Sequence, residues 1–166
     1  MIVVRYYPYT GSNDPRCSGG MMATSQPGQL GGDQQRELKV VCMNNLLAAT
    51  DVRVYFKDLL SRFVLISSGY IVAYAPGRTA EELIGKTDFD LFSYAHAYAA
   101  HNDEQEIIRT GRPMLGKMER ETYKDRPDAW VLTTKLPLRD DHGRIIGTFG
   151  ISRDITAQIA AGPSQA

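Results

Sequence analysis

The sequence predicts an α+β domain: a five-stranded antiparallel sheet with short helices on one face and an N-terminal flanking helix. Three observations lead there. Runs rich in β-branched and aromatic residues fall into two groups, residues 52–67 and 114–152, with helix-type segments gathered between them instead of alternating with them. A helical stripe of apolar residues precedes the first group. The chain's 166 residues, 43% of them hydrophobic, suffice for one good core and not two.

Residues 1–32 are glycine- and proline-rich and hold few bulky apolar side chains beyond the first segment, so ordering them would not be repaid by burial, and they are expected as a flexible leader. Residues 33–50 are expected as the flanking helix. Asp33 can cap it, and Leu38, Val41, Cys42, Leu46 and Ala49 recur at the three-four helical spacing. Val40, Met43 and Leu47 make a second stripe. That is more apolar circumference than packing on one small domain requires, so this helix either covers its own sheet or offers a dimer surface through Val40, Met43 and Leu47.

The stretch "VRVYFKDLLSRFVLIS" predicts a hairpin with its polar turn near Lys57 and Asp58. In "GRTAEELIGKT", Thr79 and Glu82 have capping-box spacing and Gly85 stands where a left-handed terminator would, which predicts one short helix. A longer helix runs through "YAHAYAAHNDEQEIIRTGRP" and is stopped by Gly111 and Pro113. Three strands follow, from Met114, Ala129 and Arg144, the last two joined by a tight turn over Asp140 to Gly143.

This layout leaves a cleft between sheet and helices, where small-molecule sites form. In the strand after Pro113, Met114, Gly116, Met118, Arg120 and Thr122 are less polar than their alternates, so Met118 and Arg120 are expected to face the cleft. Val54, Phe56, Leu132 and Phe149 would complete an apolar lining. Ala97, His101 and Ile108 would line it from the long helix, with His96 turned to solvent. An inward Arg120 needs an acceptor, either Asp103 or Glu104 within the chain or a carboxylate on a ligand. Gly147 and Gly150 weaken their strand unless something approaches closely there.

Function classes narrow by exclusion. The 19 Lys and Arg cancel the 19 Asp and Glu, so no net field recruits nucleic acid or an anionic membrane. No apolar run of about 18 residues occurs, and the opening lacks a cleavage site, so a cytoplasmic location is expected. Cys17 and Cys42 lie far apart, as reduced thiols do. No nucleophile elbow, phosphate loop or zinc spacing is present, His96 and His101 being five apart, so neither a catalytic nor a metal site is expected.

The segments "YFKDLLSRF", "TAEELIGKTDFDLF", "DEQEIIRTGRP", "TTKLPLRDDHGRIIG" and "GISRDIT", in that order, strongly resemble the PAS sensory domain of bacterial signalling proteins over residues 51–156. The resemblance implies a sensory module that binds a small ligand or a protein partner and relays a conformational signal. It implies that Asp154 and Thr156 carry the relay out of the last strand, and that the N-terminal helix serves a homodimer. Residues 157–166 form a short tail, so the expected effector acts in trans or is absent from this sequence. The ligand is left unidentified. Flavin-cysteinyl adduct chemistry is not expected, because "GKTDFDLF" holds no cysteine. The alternatives are heme held through His101, and a ligand-free dimerisation module.

Overall fold

The computed structural model of the protein describes residues 31–49, 53–123 and 125–162. The expected leader, apart from its last two residues, lies outside them. The chain divides into two compact units, Met1–Asn44 and Asn45–Ala166. Helix α1 (Gly32–Ala48) runs across that boundary, and its Leu38, Val40, Val41, Met43 and Leu46 are exposed. Leu47 departs from the expectation of a free stripe: it is buried in the folded chain and is not available to a partner as Val40 and Met43 are.

In the second unit, strands β1 (Arg53–Asp58), β2 (Phe63–Ile66), β3 (Met114–Glu121), β4 (Ala129–Arg139) and β5 (Ile145–Asp154) form one antiparallel sheet in the order β2-β1-β5-β4-β3. The first hairpin turns later than expected. Asp58 Oδ1 accepts the backbone N–H groups of Leu60 and Arg62 at 2.9 and 3.0 Å, so the bend starts after Asp58 and leaves Lys57 inside β1.

Helix α2 (Ser68–Tyr74) occupies a stretch with no helical signal in the sequence; Ser67 caps it by accepting the N–H of Tyr70 at 3.2 Å. Helix α3 (Ala80–Leu83) carries the expected Thr79/Glu82 capping box, and Gly85 beyond it has φ 82°. A 3-10 turn at Asp88–Asp90 leads to α4 (Tyr94–Thr110), which ends on Gly111 in the left-handed conformation. Helix α4 packs on β3, β4 and β5 through Ala97, Ala100, Glu104 and Ile107, one residue per turn on a single stripe. A short helix α5 (Thr156–Ala161) follows β5. The aromatic core lies between sheet and helices, built from Tyr55, Phe63, Tyr70, Tyr74 and Phe92 with Ile66 and Leu83.

A bulge decides which side chains reach the helices. Met114 stands opposite Lys135 and Lys117 opposite Thr133, so one extra residue is inserted between them, and Gly116 there adopts φ 59°. The alternation of β3 reverses at that point. Lys117, Glu119 and Glu121 take the helix side, and Met118 and Arg120 take the outer side.

Candidate functional site

Much of the helix-facing surface of the sheet is polar, beside the buried Phe63, Ile66 and Val131. Tyr55 and Lys57 of β1, Glu121 of β3, Thr133 and Lys135 of β4 and Ser152 of β5 line a cavity of ≈ 20 Å³ with Tyr70, Tyr74, Asp88, Phe92 and, from α4, His96, Ala100 and Glu104. Two glycines make room for this arrangement. A Cβ on Gly150 would lie 2.3 Å from the Tyr55 ring, and one on Gly147 would lie 1.9 Å from the Lys57 carbonyl oxygen. The close approach expected at these glycines is therefore made by the chain's own Tyr55 and β1 backbone.

Lys57 is the centre of the electrostatics. Its ammonium is 1% exposed and is held by Asp88 and by Glu104, the latter at 2.6 Å, with the Phe63 ring 4.7 Å and the Tyr55 ring 5.2 Å away. Burial works against its charge, but the two carboxylates outweigh it and raise the lysine above its ordinary range. Glu104 spends one oxygen on this pair; its second, Oε2, is buried without a hydrogen-bond partner. A second cluster lies beside the first. Asp103 receives Lys117 at 2.6 Å and Lys135 at 3.4 Å, and Lys135 also reaches the Ala100 carbonyl at 3.5 Å.

The far wall is a ladder of tyrosines. Tyr70 and Tyr74 have ring centroids 4.5 Å apart, and Tyr74 packs on Phe92 at 5.2 Å. Tyr74 donates its hydroxyl to Glu121 at 2.8 Å, and Tyr123 donates to the other Glu121 oxygen at 2.6 Å. Burial lifts the Glu121 carboxyl above its usual range against these two bonds. It pushes the Tyr55 and Tyr70 hydroxyls well up, with nearby carboxylates adding to the effect. His96, half-buried 4.8 Å from Phe92, is lowered by burial, with Glu119 and Asp88 opposing.

The residues expected to line a cleft are distributed differently. Phe56 pairs with Phe149 and Phe149 with Leu136, Val54 with Ile151, Met118 with Leu132, and Arg120 with Trp130. Directly paired residues share a face, and the adjacent Tyr55, Lys57, Glu121, Thr133 and Lys135 face the cavity. Val54, Phe56, Met118, Arg120, Leu132 and Phe149 therefore lie on the outer face; Phe56 and Phe149 stack there at 5.5 Å. Arg120 finds its acceptor there in Asp128 at 2.7 Å, while Asp103 and Glu104 are taken by lysines. Ala97 is fully buried on the packed stripe of α4, Ile108 is half-buried, and His101 sits beside Phe89 with centroids 6.4 Å apart. None of the three lines the cavity, whereas His96, expected in solvent, does. The histidine of the cavity lining is therefore His96 and not the His101 expected as the heme alternative.

The expectation went astray because the cleft was assumed to be apolar. Lys57, Glu104, Glu121, Lys135, Tyr70 and Tyr74 were missed. A signal existed for part of the set: Lys57, Glu119, Glu121, Thr133 and Lys135 sit at period two within otherwise apolar or β-branched strands, which is how two-faced strands with a polar interior read.

At the exit of β5, Asp154 accepts the Thr156 N–H at 2.8 Å and receives Arg53 at 3.3 Å. Thr156 Oγ1 accepts the Trp130 N–H at 2.9 Å, fixing α5 to β4. Arg53 also donates to the Tyr74 hydroxyl at 3.4 Å and lies over the Tyr74 ring at 5.3 Å.

Known proteins share this frame. Over 103 residues the chain is 29% identical to the methanogenesis regulatory histidine kinase FilI of Methanothrix harundinacea, covering 62% of this chain and 11% of that protein. The chain thus spans about a tenth of this curated relative. VqmA bound to DPO is 28% identical and superposes with a TM-score of 0.61, over 71% of this chain and 58% of that one. The dimer of Vibrio cholerae VqmA in the absence of target DNA is also 28% identical, at a TM-score of 0.62, with 71% and 52% covered. A PAS domain from Colwellia psychrerythraea, 18% identical with a TM-score of 0.59, matches in fold over 72% of this chain and 98% of its own. The family model described as the PAS fold covers residues 47–160, the whole sheet and the helices that lean on it, and by that match the chain belongs to the PAS family of sensory signal-transduction modules.

Proposed function

We propose that this chain is the sensing part of a signalling system: a small molecule enters the polar cavity, and its presence is passed through Arg53 and Asp154 to α5 and onward to an effector. One observation carries the reading. Tyr74 forms part of the cavity wall and is bonded to Arg53, which is bonded to Asp154, which caps the segment entering α5. A displacement of the Tyr74 ring therefore changes a contact at the start of the exit helix, so the cavity and the output end share one bonded chain. VqmA, solved both with DPO bound and as a dimer, supports ligand binding and self-association. FilI, a regulatory histidine kinase, supports an effector of the signalling class. In this reading Val40 and Met43 belong to the surface for a second copy, and the module itself performs no catalysis. Among the described residues no helix is long and apolar enough to cross a membrane, and no cluster suits a metal ion.

The water-sized cavity favours a second reading, a ligand-free interaction module. Native mass spectrometry of gently purified protein separates the two. A small molecule retained on the folded chain supports the sensor, and a clean dimer with no added mass, in protein that also yields no ligand in a metabolite extract, supports the second reading.

A further inference from the structure

Helix α4 turns a second, quite different surface to solvent. Its stripe of Ala97, Ala100, Glu104 and Ile107 is buried, so at 3.6 residues per turn the opposite side is centred on Asn102. Tyr94, Tyr98 and Arg109 form one flank of that side and Ala95, Ala99 and Glu106 the other, and all seven residues are exposed. Tyr94 is 72% exposed and Tyr98 51%. Their rings stack at 6.0 Å and 12°, and Phe89, 37% exposed, extends the aromatic flank at 5.5 Å from Tyr94. From Tyr94 to Asn102 no lysine, arginine or carboxylate interrupts the surface. Rings already held against one another lose little further freedom when covered, which favours association through them.

We propose that this side of α4 pairs with the same side of a second copy of the chain, the two helices running parallel about a two-fold axis. The occupant follows from how the flanks complement each other. A two-fold axis along the helices sets the first flank of each copy against the second flank of the other. Tyr94 and Tyr98 then lie over Ala95 and Ala99 of the other copy, large against small, as ridges pack into grooves. Arg109 meets Glu106 of the other copy, in two symmetric pairs of opposite charge. Within one helix these two side chains hold each other at 2.6 Å, but both are well exposed, so exchanging partners costs little. Asn102, at the centre, meets its own copy, the placement in which an Asn fixes register between parallel helices. An antiparallel pair would set like flank against like and lose this complementarity. The face is distinct from the α1 stripe of Val40 and Met43, and its small area makes the pairing weak and concentration-dependent.

The test uses the full chain carrying Val40→Glu and Met43→Glu, which removes the α1 surface, in sedimentation equilibrium from micromolar to millimolar concentration. A reversible dimer is expected, with a dissociation constant on the order of 100 µM. Tyr98→Glu is expected to weaken it about tenfold or more, and Tyr98→Phe to leave it within about twofold, because the ring and not the hydroxyl makes the contact. Glu106→Arg and Arg109→Glu are each expected to weaken pairing about threefold or more. An equimolar mixture of those two chains is expected to restore it, since each offers the charge the other lacks. The rescue cannot come from the bond within one helix, which both chains have lost. Circular dichroism checks that every variant keeps its fold. A chain that stays monomeric at millimolar concentration leaves this face to a different partner and overturns the proposal. Undiminished pairing of the Tyr98→Glu chain overturns it too, as does a mixture that pairs no better than its components.

Discussion

The two faces of this sheet are built on opposite principles. The helix-facing side holds Lys57, Lys117, Lys135, Glu119, Thr133 and Ser152, paired with one another and with Asp88, Asp103 and Glu104, and Glu121, held by Tyr74 and Tyr123. The outer side holds Val54, Phe56, Leu132, Leu136 and Phe149, with Ile151 and Met118 exposed. In most small domains the apolar face turns inward. Here the tyrosine ladder and the buried ions share the interior with Phe63, Ile66, Leu83 and Val131, while Val54, Phe56, Leu132, Leu136 and Phe149 lie on the face away from α4. Buried ion clusters specify geometry more than they stabilise, because desolvation offsets much of the attraction. Such an interior suits a site whose polar groups must be positioned, whereas the outer face suits packing that any apolar surface can supply.

The comparison breaks first at Lys57. Lys57→Met leaves Asp88 and Glu104 facing each other, buried and without their cation, and is expected to cost about 3–5 kcal/mol in urea unfolding. A loss under about 1 kcal/mol would show that the cluster is hydrated and that the interior is not dry. Next in size is Gly147→Ala. The new Cβ meets the Lys57 backbone carbonyl, which has no freedom to move without opening the β1–β5 pairing, so a loss of about 1–3 kcal/mol is expected. Gly150→Ala tests the same junction through the Tyr55 ring, which is packed against Phe63 and Tyr70, and a comparable loss is expected.

These contrasts also show what was legible beforehand. The strands, the capping box at Thr79, the stop at Gly111 and the turn before Arg144 were readable, because each rests on local backbone chemistry within a few residues. The faces were not. Which side of β3 looks inward depends on a bulge at Gly116, and a single glycine in a strand does not announce a reversal of phase. Helix α2 was missed for a related reason: "SGYIVAY" is rich in strand formers and is helical through the Ser67 cap and the burial of Tyr70 and Tyr74. The ion cluster joins residues 57, 88 and 104, and separation of that size leaves no local pattern in a single sequence.

Replacing Phe149 with alanine sharpens the contrast from the outer side. Its ring stacks on Phe56 but stays partly open to solvent, so a loss of about 1–2 kcal/mol is expected, below that of Lys57→Met despite the larger side chain removed. A double-mutant cycle with Phe56→Ala should return a coupling of about 0.5–1.5 kcal/mol.

His96 gives a pH signature to the inner face alone. Burial holds its folded pKa below the imidazole's ordinary 6.5, so the neutral ring contributes stability that is present above that pH and is lost as pH falls toward the folded value. Glu121 works in the other direction: its raised folded pKa gives stability present below the carboxyl's ordinary 4.5 and lost as pH rises through the folded value. The difference between the parent and His96→Gln isolates the histidine. The melting temperature of the parent should fall more than that of the variant between about pH 7.5 and 5.5, and identical slopes would place the ring in water.

The smallest effect on stability is expected at Asp154, and it separates packing from relay. The Arg53 pair is partly exposed, and such pairs contribute about 0–1 kcal/mol, so Asp154→Ala should barely move the unfolding midpoint. The side chain nonetheless holds the Thr156 N–H at the first turn of α5 and keeps Arg53 on the Tyr74 hydroxyl side of β1. Amide hydrogen exchange should therefore quicken in α5 in the variant while β4 and β5 keep their protection. Tyr74→Phe removes the hydroxyl that Arg53 contacts without emptying the core, and it is expected to loosen α5 in the same way although it lies on the cavity wall. If Asp154→Ala loosens α5 and Tyr74→Phe does not, Asp154 is a local helix cap and the inner face has no line to the exit. If both do, the polar interior and the output helix behave as one bonded unit, a coupling that the apolar outer face, stacked but unbonded, has no means to provide.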